Sequence, residues 1–343
     1  MSARTPKPRP QQPVGVRIAG TGAAIPSRVL SNADLERLMD TSDEWIVQRT
    51  GIRERRIYDR EGGETSETLG TKALLQALEN AKVKPSEVDL IIAATMTADM
   101  PTPSAACLIA HHAGCGEAGA FDLNGACCGF IFTLNMAHEF IRGGQAKTVA
   151  VVGTDTITRF VDFTTFGRNA AILFGDAAGA FVLRADPDPA VGMQAQSMHA
   201  DGGRGCHLYI PKRRESFYNP AEYDERAVDR IHMNGQAVFK FAVTKFPQVI
   251  EETLARAELK ASDVDLYVCH QANVRILESA RERFGLSHEQ LPVNMERYGN
   301  TVAASVPLLF NELRAEGRVR DGSLVMFLGF GAGLTWGGSL WRV

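Results

Sequence analysis

Hydrophobic and polar positions follow the same order in two separate parts of the chain. Residues 71–94 (TKALLQALENAKVKPSEVDLIIAA) align without gaps on residues 247–270 (PQVIEETLARAELKASDVDLYVCH). In each copy apolar residues first recur at helical spacing, a polar loop follows, and an apolar run of strand length ends the segment. The identical pairs are Leu78/Leu254, Ala81/Ala257, Lys84/Lys260, Ser86/Ser262, Val88/Val264, Asp89/Asp265 and Leu90/Leu266. The pattern predicts a duplicated unit of amphipathic helix, loop and strand.

The likeness between the two parts continues downstream. A strand, a turn and a helix are predicted over residues 121–142, and a further strand over residues 148–153. The second part has the same predicted order: a strand at 293–295, a turn to Asn300, a helix over 301–315 and a strand at 323–328. Nearly continuous apolar strands that alternate with helices are typical of buried sheets covered by helices. We therefore expect an α/β fold.

The duplication also suggests a division of the chain. The sequence DPDP at residues 186–189 lies between the two parts and is typical of a linker. We expect an N-terminal half over residues 14–187 and a C-terminal half over residues 188–343, which face each other. Residues 1–13 are basic and proline-rich, without the apolar segment of a signal peptide, and are predicted to form a disordered tail.

Short elements are predicted near the N-terminus. Residues 14–19 have the pattern of a strand, and we interpret the following Gly-Thr-Gly at 20–22 as a turn, because no dinucleotide-binding glycine pattern follows. Ser31, with an acidic residue three positions later, is predicted to cap one helix. Thr41 is predicted to begin a second.

Composition narrows the class of protein. The 343 residues are 45% hydrophobic and 22% charged, with a net charge of −3, which is typical of a soluble globular protein and gives no sign of nucleic-acid binding. No apolar run reaches the length of about 20 residues that a membrane span needs. The six cysteines form no paired framework, which favours a reducing cytosol.

Two adjacent cysteines, Cys127 and Cys128, lie at the start of a predicted helix in FDLNGACCGF. Unpaired N–H groups at a helix N-terminus favour a thiolate, so we expect the helix dipole to lower a thiol pKa by about one unit. Ionisation at pH 7 would then reach only roughly a quarter, and a nucleophile would need a further group. The alternative is that both are ordinary buried small residues.

One cluster of metal-ligating residue types occurs elsewhere. Cys107, His111, His112 and Cys115 are close in sequence. On a helix that starts near Ser104 they would spread over several faces, so we expect no metal site.

Facing halves would bring three chemical groups together. Cys127, on the turn of the first half, would lie opposite Asn300, on the corresponding turn of the second. His270 ends its predicted strand and would point into the same cleft. A thiol, an imidazole and a carboxamide would then converge from three strand ends.

These motifs together resemble the β-ketoacyl-acyl-carrier-protein synthase III family, the initiating condensing enzymes of type II fatty-acid synthesis in the thiolase superfamily. The matching stretches are DTSDEWIVQRTGIRERR (40–56), GACCGF (125–130), FGDAAGA (174–180), HQANVRI (270–276), YGNTVAASVP (298–307) and GFGAGLTWG (329–337). The resemblance implies a thiolase-like duplicated α-β-α-β-α layered fold with two mixed five-stranded sheets. It also implies a homodimer.

The resemblance implies a ping-pong reaction without a cofactor. Cys127, rather than Cys128, would take an acyl group from acyl-CoA, and malonyl-acyl-carrier protein would then lose CO2 and condense with it. His270 and Asn300 would donate hydrogen bonds to the thioester oxygen on which enolate charge develops. The N–H groups of Ala332 and Cys127 would bind the acyl oxygen, and Phe330 would shield the thiol.

Other positions match the substrate contacts of the family. On its own, Trp45 followed by Arg49 on one helix could hold an adenine and phosphates, but the pattern favours a solvated charged helix end. The resemblance assigns the adenine to Trp45 and Arg168, the phosphates to Arg49 and the pantetheine to Gly235 and Gln236. It assigns the acyl pocket to Thr102, where a small residue could admit primers longer than acetyl. The basic residues expected to bind the carrier protein are Lys240, Arg275, Arg281 and Arg283.

Several related activities remain open on the sequence. A synthase III-like condensing enzyme or acyltransferase of a secondary, polyketide-type pathway with a non-acetyl primer is the main alternative. A non-catalytic partner of a condensing complex is a different class, but such proteins generally lack the nucleophile. Degradative thiolases carry a second cysteine in the C-terminal glycine loop, and residues 329–333 contain none.

Overall fold

A computed structural model describes residues 14–343, apart from the side chain of residue 222. The predicted tail at residues 1–13 lies outside the described residues. The strands and helices of the first part are β1 (Gly15–Ala24), β2 (Arg28–Ser31), α1 (Asn32–Leu38), α2 (Asp43–Thr50), β3 (Glu54–Ile57), α3 (Ser66–Ala81), β4 (Leu90–Ala94), α4 (Ala105–His112), β5 (Gly119–Leu123), α5 (Gly129–Arg142), β6 (Thr148–Asp155), α6 (Arg168–Ala171) and β7 (Ala177–Asp186).

The second part has the same alternation. Its elements are β8 (Gly192–Ala200), β9 (Leu208–Tyr209), β10 (His232–Met233), α7 (Gly235–Arg256), β11 (Leu266–Cys269), α8 (Val274–Phe284), α9 (Met295–Tyr298), α10 (Ser305–Ala315), β12 (Leu324–Gly331) and β13 (Thr335–Arg342). The connection between β7 and β8 contains the boundary expected between residues 187 and 188; that division stays a prediction.

Two mixed sheets form the framework. The first is five-stranded in the order β1-β7-β6-β4-β5, with β4 parallel to β5 and β6 and the other neighbours antiparallel. The second is four-stranded in the order β11-β12-β13-β8, and only β11 and β12 run parallel. Every residue of β6 and of β12 is buried, which explains their nearly continuous apolar sequences.

The second sheet has one strand fewer than the five that the family resemblance implies. The segment at residues 290–294 runs beside β11, where the Tyr267 N–H donates to Gln290 O at 2.7 Å, but it forms no ladder. Pro292 lies in this segment and has no N–H to donate to a neighbouring strand. The strand predicted at 293–295 is therefore wrong, and the short helix α9 begins at Met295.

The helices complete an α-β-α-β-α layering, which confirms the predicted fold. Helices α5 and α10 lie between the sheets, α3 and α4 cover the outer face of the first, and α7 and α8 cover the second. The central core joins both sheets through buried aromatic rings, with Phe130 and Phe181 edge-to-face at 4.9 Å and Phe310 and Phe327 at 5.0 Å. Burying each such ring contributes about 1.5 to 3 kcal/mol relative to exposure.

The duplicated unit is confirmed in detail. Each copy is a helix, a one-turn 3₁₀ helix and a strand: α3, Pro85–Glu87 and β4 in the first, and α7, Ala261–Asp263 and β11 in the second. The 3₁₀ turns are capped alike, since the Glu87 carboxylate accepts the Lys84 N–H at 3.0 Å and the Asp263 carboxylate accepts the Lys260 N–H at 2.8 Å.

Two expectations near the N-terminus need correction. Gly20 and Gly22 lie inside β1, not in a turn. A Cβ on Gly20 would lie 2.3 Å from the Ala77 carbonyl oxygen, and one on Gly22 would lie equally close to the backbone of α3, so the glycines allow the strand to pack against this helix. Ser31 caps α1 as predicted, whereas α2 is capped by Ser42 rather than Thr41.

Among the described residues, every helix is too short or too polar to cross a membrane. The cytosolic location stays a prediction.

Candidate active site

Cys127 lies where the first sheet passes into the central helix layer. After β5, a 3₁₀ turn at Ala126–Cys128 leads directly into α5, and Ala126 has a left-handed φ of +46°. The second half approaches from the other side: a Cβ on Gly331 would lie 2.8 Å from the Cys127 sulfur. Glycine at the end of β12 is therefore required for the two halves to meet at this thiol.

The neighbouring Cys128 faces away from the site. It is fully buried, and a Cβ added to Gly329 would lie only 3.1 Å from its sulfur. Successive residues at a helix start differ in direction by about 100°, so only one of the two thiols can face the cavity. Cys127, with 6% of its surface exposed, is that thiol.

The pKa of Cys127 moves opposite to the sequence-based expectation. Burial raises it to about 12, and the Asp155 carboxylate adds to the increase. Backbone N–H groups of Ala332 and of Cys127 itself point toward the sulfur and lower the pKa, but by less than burial raises it. The resting group is a thiol, and a helix N-terminus does not ionise it.

His270 follows β11 directly and is almost completely buried. Its Nδ1 lies 2.6 Å from Ser305 Oγ, and its ring centroid lies 5.5 Å from that of Phe330. Burial lowers the pKa of His270 to about 3, so the imidazole is neutral at physiological pH. A neutral imidazole can donate one hydrogen bond without carrying a charge.

Asn300 is fixed by its own turn. Gly299, with φ +67°, precedes it, and the Asn300 backbone bonds to Leu173 O at 2.8 Å and to the Gly175 N–H at 3.0 Å. The side-chain Oδ1 accepts the Val302 N–H at 3.0 Å. This contact orients the carboxamide and leaves its NH2 group as the end that can donate to a ligand.

One cavity of about 530 Å³ joins these three groups. Cys127, His270 and Asn300 all line it, together with Phe330 and Gly331. The halves thus bring a thiol, a neutral imidazole and a carboxamide to one pocket, as their sequence positions predicted. Removal from water strengthens each hydrogen bond that such groups offer.

Family comparisons agree with this geometry. A family model described as 3-Oxoacyl-[acyl-carrier-protein (ACP)] synthase III matches residues 121–202, and one described as its C terminal matches residues 254–343. The β-ketoacyl-[acyl-carrier-protein] synthase III of Xanthomonas campestris is 44% identical over 326 residues, which are 95% of this chain and 98% of the relative. The chain belongs to the β-ketoacyl-acyl-carrier-protein synthase III family.

Solved structures extend the comparison. The crystal structure of 3-oxoacyl-[acyl-carrier-protein] synthase III from Aquifex aeolicus has a TM-score of 0.88 and 40% identity, and the match covers 96% of this chain and 100% of that one. The crystal structure of the priming β-ketosynthase from the R1128 polyketide biosynthetic pathway has a TM-score of 0.89 and 34% identity, covering 98% of this chain and 99% of that one. The predicted thiolase-like fold of the synthase III family is confirmed.

The residues assigned from the family to the acyl oxygen lie beside the thiol. Ala332 follows β12, and its N–H points toward the Cys127 sulfur. Phe330 is buried and lines the cavity with Cys127, and its ring contacts that of His270. Their proposed roles require a bound acyl group.

The residues assigned to CoA lie at the outer end of the same cavity. Trp45, Arg49, Gly235 and Gln236 all line it. The Arg49 guanidinium lies 4.4 Å from the Trp45 ring and that of Arg168 lies 4.9 Å from it. Both guanidinium groups therefore lie against the Trp45 indole.

The four predicted basic residues do not form one surface. Lys240, Arg275 and Arg283 are exposed, and Arg275 also lines the cavity. Arg281 is only 5% exposed, and its guanidinium donates to Leu291 O and to the Glu278 carboxylate. Arg281 makes hydrogen bonds inside the protein, so its assignment to a carrier-protein surface is wrong.

Thr102 lies in the exposed loop before α4 and lines neither the main cavity nor the small one behind Cys127. That small cavity, of about 40 Å³, is apolar and is lined by Met96, Ile157, Ile210 and Ile231 among others. Any part that Thr102 plays in an acyl pocket would have to be across an interface. Its role stays a prediction.

Two buried residues with contacts to the site were missed on the sequence. Asp155 ends β6 and accepts the Met96 N–H at 2.9 Å and the Ala303 N–H at 3.2 Å. Ser305 touches His270. The sequence signal for Asp155 was available, because a lone acid at the end of a mostly apolar strand must find buried partners. No pattern distinguishes Ser305.

Within residues 14–343, no group of three or more His, Cys, Asp or Glu side chains could hold a metal ion.

Proposed function

We propose that this chain is an initiating condensing enzyme of fatty-acid synthesis, which joins an acyl-CoA primer to malonyl-acyl-carrier protein and releases CoA and CO2. The observation that carries the proposal is the cavity that Cys127, His270 and Asn300 line together. The names of the relatives at 44% identity favour fatty-acid synthesis over the secondary pathway that the sequence left open.

The first half-reaction is a thiol exchange. The Cys127 sulfur attacks the carbonyl carbon of the acyl-CoA thioester, the carbon–sulfur bond to CoA breaks, and the Cys127 proton passes to the departing CoA sulfur. The N–H groups of Ala332 and Cys127 would bind the oxygen that becomes negative. Because burial raises the pKa of Cys127 to about 12, the thiolate nucleophile forms only when the Cys127 proton is transferred to an acceptor.

The second half-reaction uses the other two groups. Malonyl-carrier protein loses CO2, and the electron pair of the broken bond forms an enolate whose oxygen faces the Nε2 of His270 and the NH2 of Asn300. The enolate carbon attacks the acyl group, and the released Cys127 sulfur takes up one proton. Each donor at such an oxygen is typically worth about 3 kcal/mol of transition-state stabilisation.

The reaction as written needs no cofactor, because the CoA thioester is a substrate. Trp45 and Arg168 would hold the adenine, Arg49 the phosphates, and Gly235 with Gln236 the pantetheine. Trp45, Arg49, Gly235 and Gln236 line the cavity, and the Arg168 guanidinium lies 4.9 Å from the Trp45 ring, which supports this assignment.

For the carrier protein, the exposed side chains of Lys240, Arg275 and Arg283 are the residues we propose as contacts. Arg275 is at the cavity lining, where a phosphopantetheine arm would enter. Such charges would speed the association of an acidic partner, and this increase in rate would become smaller as the salt concentration rises.

We also propose a homodimer through β5. In the described part of the chain this edge strand pairs only with β4, and Phe121, Leu123, Met136 and Phe140 are only partly buried nearby. Both side-chain polar atoms of buried Asn135, in the adjoining groove, lack a hydrogen-bond partner among the described residues. A second copy would cover the apolar surface and pair the strand edge.

Sedimentation of Leu123→Asp tests the dimer, with Leu75→Asp as control, since Leu75 is an exposed leucine on α3. We expect only the first to shift the protein to monomer. A monomeric unchanged protein would contradict the proposal.

Primer length follows from the small apolar cavity behind Cys127. Its volume of about 40 Å³ holds roughly three heavy atoms, on the measure by which one water needs about 10 to 15 Å³. A short primer fits the single chain, and longer primers would need the wider pocket predicted from Thr102.

Product analysis tests the proposed function directly. Acyl-CoA primers of increasing length are offered with malonyl-carrier protein or malonyl-CoA, and the products are identified by mass spectrometry. We expect β-ketoacyl-carrier protein from the carrier substrate and no product with Cys127→Ala. Product from malonyl-CoA alone, or turnover without the thiol, would refute it.

A further inference from the structure

Ser305 is the polar side chain against the inner nitrogen of His270. It is the first residue of α10, 1% exposed, and its Oγ lies 2.6 Å from His270 Nδ1. Since Nδ1 faces Ser305, Nε2 is the nitrogen left for the cavity that His270 lines. The bond on one nitrogen of a histidine decides which proton the other carries.

The direction in which the Ser305 hydroxyl donates decides which nitrogen of His270 carries the histidine proton. Buried His270 is neutral, as described above, so it carries a single N–H. Ser305 also has one hydroxyl proton, and its Oγ lies 3.0 Å from the Val302 carbonyl oxygen. If the hydroxyl donates to Val302, Nδ1 must carry the histidine proton. If it donates to Nδ1, the histidine proton is on Nε2.

The Val302 carbonyl is the competing acceptor, because it lies within hydrogen-bond reach of both the Ser305 hydroxyl and the His270 ring. It already accepts the backbone N–H of Ser305 at the start of α10. The N-terminus of a helix also carries partial positive charge, which opposes a second proton on His270. The Oγ–Nδ1 distance of 2.6 Å is shorter than the 3.0 Å from Oγ to the Val302 carbonyl oxygen, which favours Nδ1 as the acceptor of the hydroxyl proton.

We propose that Ser305 is a positioning residue, which donates its hydroxyl proton to His270 Nδ1 and thereby keeps the histidine proton on Nε2, facing the substrate. The inference rests on the proposed function, in which Nε2–H donates to the thioester oxygen of the malonyl group. Without the hydroxyl, the Val302 carbonyl is the remaining acceptor near the ring and draws the proton to Nδ1. Nε2 would then present a lone pair to that oxygen.

The tautomer of His270 is measured by NMR of protein carrying ¹⁵N-labelled histidine, with the His270 signals assigned by their loss in His270→Asn. We expect Nε2–H in the unchanged protein and Nδ1–H in Ser305→Ala. Ser305→Thr keeps the hydroxyl and is expected to keep Nε2–H. Ser197→Ala is the matched control, because it removes a buried serine hydroxyl that bonds to Thr253 in the second half.

The two half-reactions are then assayed separately on the same proteins. Ser305→Ala is expected to acylate Cys127 from acyl-CoA within a few-fold of the unchanged rate. Its decarboxylative condensation should fall about 100-fold or more, the usual effect of losing one such donor. Ser305→Thr should recover most of that loss.

The outcomes separate this inference from the proposed function. A protein without condensing activity but with the expected tautomer change refutes the function and leaves the hydroxyl contact supported. Nδ1–H in the unchanged protein, or no tautomer change in Ser305→Ala, overturns the role of Ser305. A tautomer change with unchanged condensation overturns the link between the two.

Discussion

The carboxylate of Asp155 accepts a hydrogen bond from the Ala303 N–H at 3.2 Å. Asp155 ends β6 of the first half, whereas Ala303 follows Asn300 by three residues in the second. The other oxygen accepts the Met96 N–H at 2.9 Å and the Thr97 hydroxyl at 2.9 Å. One buried carboxylate therefore joins the end of the first sheet to the turn that positions Asn300.

Replacing Asp155 with Asn should change two rates in opposite directions. The amide NH2 would face the Ala303 N–H, so the Asn300 turn would lose a contact and condensation should slow about tenfold or more. The negative charge that raises the pKa of Cys127 would also be gone, so the pKa of the thiol should fall. Alkylation of Cys127 by iodoacetamide at fixed pH should therefore speed up.

Asp176→Asn is the matched control for this substitution. The Asp176 carboxylate is equally buried and accepts the N–H groups of Tyr58 and Thr158, both in the first half. We expect a comparable loss of stability, about 1 to 3 kcal/mol, without faster alkylation. Slower alkylation in Asp155→Asn would contradict the electrostatic argument.

The pH dependence of Cys127 reactivity follows from its burial. With a pKa raised to about 12, the thiolate fraction grows about tenfold for each pH unit up to that value. The rate of iodoacetamide labelling at Cys127, followed by peptide mass mapping, should rise between pH 7 and 10 without levelling off. A plateau near pH 8 would show that the thiol is activated in the free protein.

The sequence predicted the order of elements well because the hydrophobic pattern of each unit occurs twice in the chain. The helix, 3₁₀ turn and strand of each copy could be aligned on residues such as Lys84 and Lys260, whose caps are alike. The convergence of Cys127, His270 and Asn300 also followed from that alignment. Strand ends of equivalent copies must meet wherever the halves face each other.

What the sequence missed depends on tertiary burial. The thiol pKa was expected to fall by the helix dipole, but burial of Cys127 costs more than the dipole gains, and burial is not visible in a local pattern. Arg281 looked like a surface charge because arginine usually is one. Pro292, which has no N–H to donate to a neighbouring strand, directly precedes the residues for which a strand was predicted.

Gly331→Ala should block acylation by filling the space of the thiol. Its Cβ would lie 2.5 Å from the Cys127 Cβ and 2.8 Å from its sulfur, far inside van der Waals contact. Overpacking of this kind costs about 1 to 3 kcal/mol, so the protein should still fold. Intact-mass measurement after incubation with acyl-CoA should show at least about 100-fold slower acylation.

Gly202→Ala provides the control for that substitution, because a Cβ on Gly202 meets nothing within 4 Å. It should acylate at the unchanged rate. Normal acylation of Gly331→Ala would show that acyl-CoA approaches the Cys127 sulfur from a side that a Cβ on residue 331 does not block.

Arg281 and Arg283 lie two positions apart on α8, and their replacement by Ala should affect different properties. Loss of Arg281 leaves the buried Leu291 carbonyl without its guanidinium donor, so the free energy of unfolding in urea should fall by about 2 to 3 kcal/mol. Arg283 is exposed and paired with Glu251 at 2.7 Å, so its loss should cost less than about 1 kcal/mol. Only Arg283→Ala should raise KM for malonyl-carrier protein, while KM for acyl-CoA stays unchanged in both. A selective rise of KM for malonyl-carrier protein in Arg281→Ala would show that Arg281 contributes to carrier-protein binding.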